Sequence, residues 1–225
     1  MKSSALGLFL LLLAPPPAPA GDGALVVDKA KRSVTIPCQV APRKLPHLDK
    51  TFPIEVIATH AYREPKGADV RGQKAHETVV IIPDSIKPSE VHKALEQLGL
   101  KAGKPAFGER VTRAEGPEVK VYLEIPGQPR TPIEKFLTDT KTRKPLPALQ
   151  WHFTGSAVKQ PDPEKDDTVY GADFTGTFVA LFPVTSDTVV QTNLTMKEEP
   201  LLKLETNQSL LPKEGTPVKL ILEVK

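Results

Sequence analysis

Three polar residues of this chain belong to types that serve acid–base chemistry or metal binding. His76 and Glu77 are adjacent, and a neutral imidazole beside a carboxylate can share a divalent metal or act as a base with its orienting group. Asp173 is the third candidate, since its carboxylate could complete such a group. Together the three residues predict a metal-dependent or acid–base hydrolase, provided that the fold brings them to one point.

A structural role for the same residues competes with the catalytic one. Adjacent residues of a strand point to opposite faces, so His76 and Glu77 would diverge if their segment were extended. Asp173 lies just before Gly176, in a turn-like segment where aspartate commonly binds local backbone. In this second interpretation one member of the pair faces solvent and the other binds a loop, and the chain has no assembled catalytic group.

Residues 151–156 form a second candidate site, which we interpret as one for binding. Trp151 and Phe153 alternate, and so they share one apolar face of a predicted strand. Ser156 lacks the glycine two residues earlier that the Gly-x-Ser-x-Gly pattern of a nucleophilic serine requires. We therefore expect Trp151 and Ser156 to bind a ligand or to stabilise a turn, and not to attack a substrate.

The composition argues against several classes of function. Cys38 is the only cysteine, so the chain can form no intrachain disulfide, no cysteine-ligated iron–sulfur cluster and no cysteine-rich zinc site. The formal net charge is +3, with basic and acidic residues mixed along the chain, which does not favour a nucleic-acid partner. The sequence contains no phosphate-binding glycine loop, and we predict no cofactor.

The first twenty residues predict a signal for export. Lys2 precedes an apolar run from Ala5 to Ala14, which is too short to span a bilayer. Ala18-Pro19-Ala20 fits the small-x-small cleavage rule, so cleavage after Ala20 would release the protein into the periplasm or the exterior. No later stretch is apolar enough to cross a membrane, and the expected partner is an unknown envelope protein or a small ligand.

One helix is indicated clearly by the spacing of apolar residues. Pro88 suits the first helical turn, and Gly99 suits the position just past the end. The residues between them repeat at i, i+3, i+4 and i+7, which places one apolar stripe along Val91, Ala94, Leu95 and Leu98. This pattern predicts an amphipathic helix over Pro88 to Leu98.

The rest of the chain has the pattern of strands interrupted by proline. The sequence has 24 prolines, and those of Ile36-Pro37 and Ile82-Pro83 indicate strand ends, edges or bulges. A capping-box pattern at residues 131–134 predicts a short second helix over Pro132 to Thr138. The predicted fold class is therefore α+β, mainly antiparallel sheet with one principal amphipathic helix.

Two blocks of the sequence resemble the YdjY-type domain of exported bacterial proteins. The first runs from His76-Glu77-Thr78 through residues 87–105. The second joins residues 151–156 to Tyr170-Gly171-Ala172-Asp173 and Thr175-Gly176. The resemblance covers residues 25–193, and it implies an exported location and a fold more than a reaction.

These observations predict three parts along the chain. Residues 1–20 form a signal peptide, residues 21–195 a YdjY-like α+β domain, and residues 196–225 a strand-rich extension that packs on the same domain. The function that they favour is a non-enzymatic binding or interaction module of the cell envelope. The alternative is the hydrolase that would use His76, Glu77 and Asp173.

Overall fold

The computed structural model describes residues 23–66, 70–108, 112–144, 146–161, 164 and 166–225. Its helices are α1 (Pro88–Gln97) and α2 (Gly171–Thr175), and single 3-10 turns cover Ala75–Glu77 and Ile133–Phe136. The strands, in chain order, are β1 (Val26–Asp28), β2 (Ser33–Val40), β3 (Val56–His60), β4 (Val80–Ile82), β5 (Glu118–Glu124), β6 (Thr131–Pro132), β7 (Leu137–Asp139), β8 (Trp151–Phe153), β9 (Val158–Lys159), β10 (Val169–Tyr170), β11 (Thr177–Ala180), β12 (Val190–Thr192), β13 (Leu204–Thr206) and β14 (Pro217–Val224).

Eight of these strands close into a barrel. Each is hydrogen-bonded to the next in the order β2, β14, β5, β8, β12, β11, β3 and β4, and β4 pairs again with β2. The pairs β3–β4 and β11–β12 are parallel, and the other six pairs of the ring are antiparallel. Because the ring is closed, its strands leave few backbone groups at an open edge.

The predicted fold class, an α+β sheet with one principal amphipathic helix, is wrong. The protein is mostly β, and its main body is the closed eight-stranded barrel. Closure depends on pairings between segments that are far apart in the chain, such as Val40 with Val80 and Ser33 with Glu223. Periodicity reports only the local element, so the sequence pattern carried no information about which strands would meet.

Helix α1 covers Pro88–Gln97 and is an accessory to the barrel. The Glu90 carboxylate accepts the Lys87 N–H at 2.7 Å, which satisfies one free donor at the helix start. Its buried residues, Pro88, Val91, Ala94 and Leu95, form the face that packs against β2, β11 and α2. In the part of the chain that the structure describes, neither helix combines the length and apolarity that crossing a membrane would require.

The predicted second helix, Pro132 to Thr138, is also wrong. Thr131–Pro132 is instead the short strand β6, which pairs with β5, and only Ile133–Phe136 forms a single 3-10 turn. The chain then extends again as β7, which pairs with β13. Strand pairing on both sides of the turn therefore outweighs the local capping signal, as tertiary contacts commonly outweigh propensity.

The core of the barrel is formed by alternate residues of its strands, whose side chains point inward. In β2, Val34, Ile36, Cys38 and Val40 are buried, while the residues between them face outward. Strand β14 lies between β2 and β5 in the wall, with seven residue pairs to β2 and six to β5. The segment 196–225, predicted as an extension, therefore contributes a wall strand of the barrel.

Candidate functional site

A groove of about 650 Å³ opens in the wall of the barrel between β2 and β4. We call it the split groove, and its lining consists of residues 37–39 of β2, residues 81–84 at the end of β4, residues 217–219 of β14, and Gly23, Ala61, Glu124, Pro126 and Gly127. Most of this lining is apolar. Sites for small molecules in proteins have volumes of about 300–1,000 Å³ and a mainly apolar lining with a few polar groups, so the split groove has the size and chemistry of a ligand site.

Two prolines explain why the wall opens at this place. Strands β2 and β4 pair antiparallel, with Gln39 opposite Ile81. The same register, continued by two residues, places Pro37 opposite Pro83. Neither proline has an N–H to donate, and the Pro83 carbonyl accepts the Ile86 N–H instead. The ladder therefore stops there, and the two chains separate to form the groove.

His60 and Asp84 lie together at the margin of the split groove. Asp84 lines the groove, pairs with Arg63 through Oδ2, and has its Oδ1 at 3.7 Å from His60 Nδ1. His60 Nε2 lies 2.9 Å from the Ile86 carbonyl, so in the neutral ring Nε2 donates and Nδ1 presents a lone pair.

The environment of His60 keeps its ring neutral. His60 is 2 % exposed, and its buried Nδ1 has no hydrogen-bond partner among the described residues. Burial lowers the pKa of His60, and Arg71 and Arg63 lower it further, against the opposing effects of Ile86 and Asp84. Near pH 7, the neutral His60 ring therefore has an unprotonated Nδ1 at 3.7 Å from Asp84 Oδ1.

The 3-10 turn at Ala75–Glu77 brings His76 and Glu77 into contact. His76 Nε2 lies 3.0 Å from Glu77 Oε1. The other oxygen, Glu77 Oε2, lies 2.6 Å from Lys74 Nζ, which is also 2.9 Å from Glu55 Oε2. We call Glu55, Lys74, His76 and Glu77 the lysine–carboxylate cluster. The two adjacent side chains converge because their segment is turned and not extended.

Charges inside the lysine–carboxylate cluster compensate one another. Burial raises the pKa of Glu55, while the Lys74 ammonium opposes this rise. Burial lowers the pKa of Lys74, but hydrogen bonds and charges from Glu77 and Glu55 outweigh it and leave this pKa above its ordinary value. Burial and the Lys74 charge lower the pKa of His76. An ammonium thus occupies the place between the carboxylates where a cation would bind, and the arrangement suits a structural ion-pair network.

Asp173 has a different partner. Its Oδ1 accepts the Ser89 N–H at 2.7 Å, in the first turn of α1. A carboxylate at that position satisfies a free helix amide and interacts favourably with the helix dipole. Because Asp173 belongs to α2, this bond joins the two helices. The structure therefore brings His76 and Glu77 together and places Asp173 in a separate contact.

The two sequence blocks that resemble the YdjY-type domain meet beside α1. His92 Nδ1 lies 2.8 Å from the Tyr170 hydroxyl, and the His92 ring packs edge-on against Phe153. Gly155 has φ +64°, and a Cβ there would lie 2.9 Å from Ala102 Cβ and 3.2 Å from His92 Cε1. Burial raises the pKa of Tyr170. Close packing of the helix on this turn therefore requires the glycine, and Tyr170 and Phe153 contact the His92 ring there.

Ser156 and Trp151, the predicted binding residues, have protein partners for their polar atoms. Ser156 Oγ accepts the Ala172 N–H at 2.8 Å and donates to the Ala157 carbonyl at 3.1 Å. Trp151 is 1 % exposed, and its indole N–H donates to Glu134 Oε1 at 2.8 Å. These contacts join α2 to the loop after β8 and the 3-10 turn at Ile133–Phe136 to β8, which is a structural role.

Potential metal ligands are not grouped within the described part of the chain. No set of three or more histidine, cysteine, aspartate or glutamate side chains is placed there to hold a metal ion. Cys38 lines the split groove, and its Sγ lies 3.5 Å from the Val218 carbonyl. Burial raises the pKa of Cys38 to about 12, so little thiolate exists at neutral pH.

The split groove was not predicted from the sequence. Ile36-Pro37 and Ile82-Pro83 are visible there as interruptions of strands, and a pairing of these two interruptions would have been the signal. His60 and Asp84 carry no local motif, because they are 24 positions apart and meet only at the end of the parallel pair β3–β4.

Comparison with known proteins gives one match. No curated protein and no solved structure matches the chain. The YdjY domain family matches residues 25–223, a span that contains the whole barrel except the last residue of β14. Because the match takes in nearly all of the 225 residues, the chain belongs to the YdjY domain family.

Proposed function

We propose that this protein is an exported, non-enzymatic binding module of the bacterial cell envelope, and that the split groove holds its ligand, an uncharged apolar molecule. The observation that carries the proposal is the groove itself: about 650 Å³ of mainly apolar surface where Pro37 and Pro83 interrupt the barrel wall. An open, apolar and concave surface is costly in water unless something covers it, which favours a binding role.

The charges of the groove favour an uncharged ligand. Asp84 is paired with Arg63, and Glu124 is paired with Lys219 at 3.0 Å. Each carboxylate of the lining thus already has a cation beside it, so the groove offers no unpaired charge to attract an ion. An apolar molecule gains free energy from leaving water without disturbing either pair.

The exported location is supported by the N-terminal sequence. Lys2, the apolar run from Ala5 to Ala14 and the small residues Ala18 and Ala20 have the order of a secretory signal. A binding module outside the cytoplasm is also compatible with a chain that has one buried cysteine and no need of a disulfide.

The hydrolase that would use His76, Glu77 and Asp173 has weaker support. In the lysine–carboxylate cluster the Lys74 ammonium already occupies both carboxylates, and Asp173 binds the Ser89 amide of α1. Each candidate acid or base thus has a structural partner. We therefore retain the binding module and not the hydrolase.

Binding of a fluorescent apolar probe tests the proposal. N-phenyl-1-naphthylamine becomes bright in apolar sites, and we expect saturable binding of one probe per protein. Gln39→Trp should reduce the affinity by about tenfold or more, because Gln39 is exposed on β2 and a larger side chain there would fill the groove. The bound probe should be recovered chemically unchanged by mass spectrometry.

The matched control is Lys93→Trp, which places the same side chain on the exposed face of α1, outside the groove. It should bind the probe as the unmodified protein does. Absence of saturable binding, or equal loss in the two variants, would contradict a ligand site in the split groove.

A further inference from the structure

We infer that the ligand of the split groove is an unbranched apolar chain of about ten to twelve carbons, which lies across the strands between two ion pairs. The inference rests on the proposed function and goes further, since it gives the shape and the length of the ligand. An alkyl chain of medium length with an uncharged head is the chemical class that fits.

The groove crosses four neighbouring strands of the barrel wall. Strands β4, β2, β14 and β5 follow one another in the sheet, and each contributes residues to the lining. Gln39 of β2 stands opposite Ile81 in β4 and opposite Pro217 in β14. Lys219 of β14 stands opposite Glu124 in β5. Opposite residues of an antiparallel pair share a face of the sheet, so these side chains form one band across the outside of the wall.

This band makes the groove long in one direction. Neighbouring strands lie about 4.8 Å apart, so the three spacings from β4 to β5 amount to about 14 Å. An extended hydrocarbon chain advances about 1.25 Å for each bond, given carbon–carbon bonds of about 1.5 Å and angles of about 111°, so about eleven bonds span that length. A straight chain can therefore contact all four strands, whereas a compact molecule of the same composition would contact only some of them.

An ion pair stands at each end of the band. At one end Asp84, two residues after β4, pairs with Arg63. At the other end Glu124 of β5 lies 3.0 Å from Lys219. The next strand, β6, contributes no described residue to the lining, so the groove stops at this second pair. A chain longer than the distance between the pairs must cover charged groups, which costs free energy, or extend into water.

The surface between the two ion pairs is mainly apolar. Pro37, Ile81, Pro83 and Pro217 form it together with backbone of the same strands. Gln39 contributes the one side-chain amide of the described lining, and it is exposed. Each methylene group that leaves water on such a surface raises the affinity about threefold, up to the length of the surface.

Displacement of N-phenyl-1-naphthylamine by straight-chain alcohols tests the inference. The series runs from 1-hexanol to 1-tetradecanol, each used below its solubility limit, so that the head is constant and only the length varies. We expect the concentration that displaces half of the probe to fall about threefold for each added carbon. The fall should end between 1-decanol and 1-dodecanol, and longer alcohols should gain nothing.

Replacement of the ion pair at the β5 end provides the second measurement. In the double variant Glu124→Leu and Lys219→Leu, the end of a longer chain meets apolar side chains instead of charges. The gain should therefore continue, and 1-tetradecanol should displace the probe at a concentration about tenfold lower than 1-dodecanol does.

The matched control is Glu118→Leu with Lys225→Leu, which removes another ion pair between β5 and the end of β14, outside the groove. The gain should end there at the same chain length as in the unmodified protein. All four side chains of the two pairs are partly exposed, so we expect both double variants to fold. If one does not, the series on the unmodified protein still decides whether a length limit exists.

The outcomes separate the inference from the proposed function. If the probe binds and Gln39→Trp abolishes binding, but affinity rises steadily to 1-tetradecanol or does not depend on length, the length limit is overturned while the apolar site stands. A limit at the same length in both double variants would overturn the assignment of the Glu124–Lys219 pair as one end. If the probe itself does not bind to the groove, the proposed function fails, and the inference fails with it.

Discussion

Pro37 of β2 and Pro83 after β4 stand opposite each other in the antiparallel register that Gln39 and Ile81 establish two residues earlier. The next pair of ladder hydrogen bonds would need an N–H from each of them, and neither residue has one. The barrel therefore closes by only two residue pairs between β2 and β4, and the split groove begins where those pairs end.

The double substitution Pro37→Val and Pro83→Val should close the groove. Two restored amides allow hydrogen bonds worth about 0.5–1.5 kcal/mol each. Without its prolines the unfolded chain gains conformational entropy, which lowers the stability of the folded protein by about 0.4–1 kcal/mol for each proline. The two effects oppose each other, so the free energy of unfolding should change little. Affinity for N-phenyl-1-naphthylamine should fall about tenfold, because the opening is narrowed. Hydrogen exchange should show protected amides at positions 37 and 83.

Pro200→Val is the control, since Pro200 is exposed and lies outside the groove. It should leave probe binding intact. Unchanged binding in the double variant, with positions 37 and 83 protected, would show that the groove does not depend on the facing prolines.

Lys74→Met should destabilise the protein by about 1–3 kcal/mol at pH 7, because it leaves the carboxylates of Glu55 and Glu77 partly buried without their shared cation. Burial raises the pKa of Glu55 and the Lys74 ammonium opposes that rise, so loss of the ammonium should raise this pKa further. A group with a raised folded pKa adds stability as the pH falls through that value. The deficit of the variant should therefore shrink between pH 7 and pH values near 4.5, as measured by urea unfolding.

Lys93→Met is the matched control for that experiment, because Lys93 is an exposed lysine of α1 without an ion pair among the described residues. Its free energy of unfolding should stay within about 0.5 kcal/mol of the unmodified protein at every pH. A pH-independent deficit in Lys74→Met would mean that the aliphatic packing of Lys74, and not its charge, stabilises the cluster.

Trp151→Phe should cost about 1–3 kcal/mol of unfolding free energy, since it removes the donor that holds the buried Glu134 carboxylate at 2.8 Å. Glu134 also accepts the Leu149 N–H, so the same oxygen serves two donors. Glu134→Gln retains an acceptor oxygen and should cost less than Trp151→Phe. If the two variants lose the same stability, the charge of Glu134 matters more than the hydrogen bond.

His60→Gln should make the protein less sensitive to acid. The pKa of His60 is lowered by burial, so the unfolded chain binds a proton more readily than the folded one. The free energy of unfolding therefore falls as the pH drops from about 6.5, the ordinary histidine value, through the folded pKa. Glutamine can donate to the Ile86 carbonyl and does not titrate. The part of the acid-induced fall in stability that comes from His60 should therefore disappear in the variant.

Chemical denaturation at several pH values, together with an NMR titration of the His60 ring, measures this effect. The resonances of His60 should report the neutral form with the proton on Nε2 at pH 7. A His60 ring that is charged at pH 7, or an unchanged pH slope in His60→Gln, would contradict it.

The local elements were predictable where a repeating pattern specified them. The spacing of Val91, Ala94 and Leu95 predicted a helix from Pro88, because burial of one face is enough to define it. The capping pattern before Ile133 predicted a helix that does not form, since β6 and β7 take up the residues on both sides of a single turn. Propensity decides an element only where distant pairing does not compete.

The barrel and its groove could not be predicted in the same way. Both depend on register between strands, and register appears only when two distant segments are known to pair. Pro37 and Pro83 were visible as interruptions, but their alignment follows from the pairing of Gln39 with Ile81. For His76 and Glu77 the local conformation was decisive. An extended segment would have separated the two side chains, whereas the 3-10 turn brings His76 Nε2 to 3.0 Å from Glu77 Oε1.

The position of β14 has a consequence for the order in which the protein can be made. Residues 217–224 lie in the wall between β2 and β5, and Val218 pairs with Cys38, 180 positions earlier in the chain. A nascent chain that has not yet released β14 from the ribosome cannot close the ring, however long the earlier strands have been available. Closure of the ring must therefore wait until residues 217–224 are available, and contacts so far apart in sequence favour slow folding. During that interval the polypeptide stays open, with its future core available to chaperones.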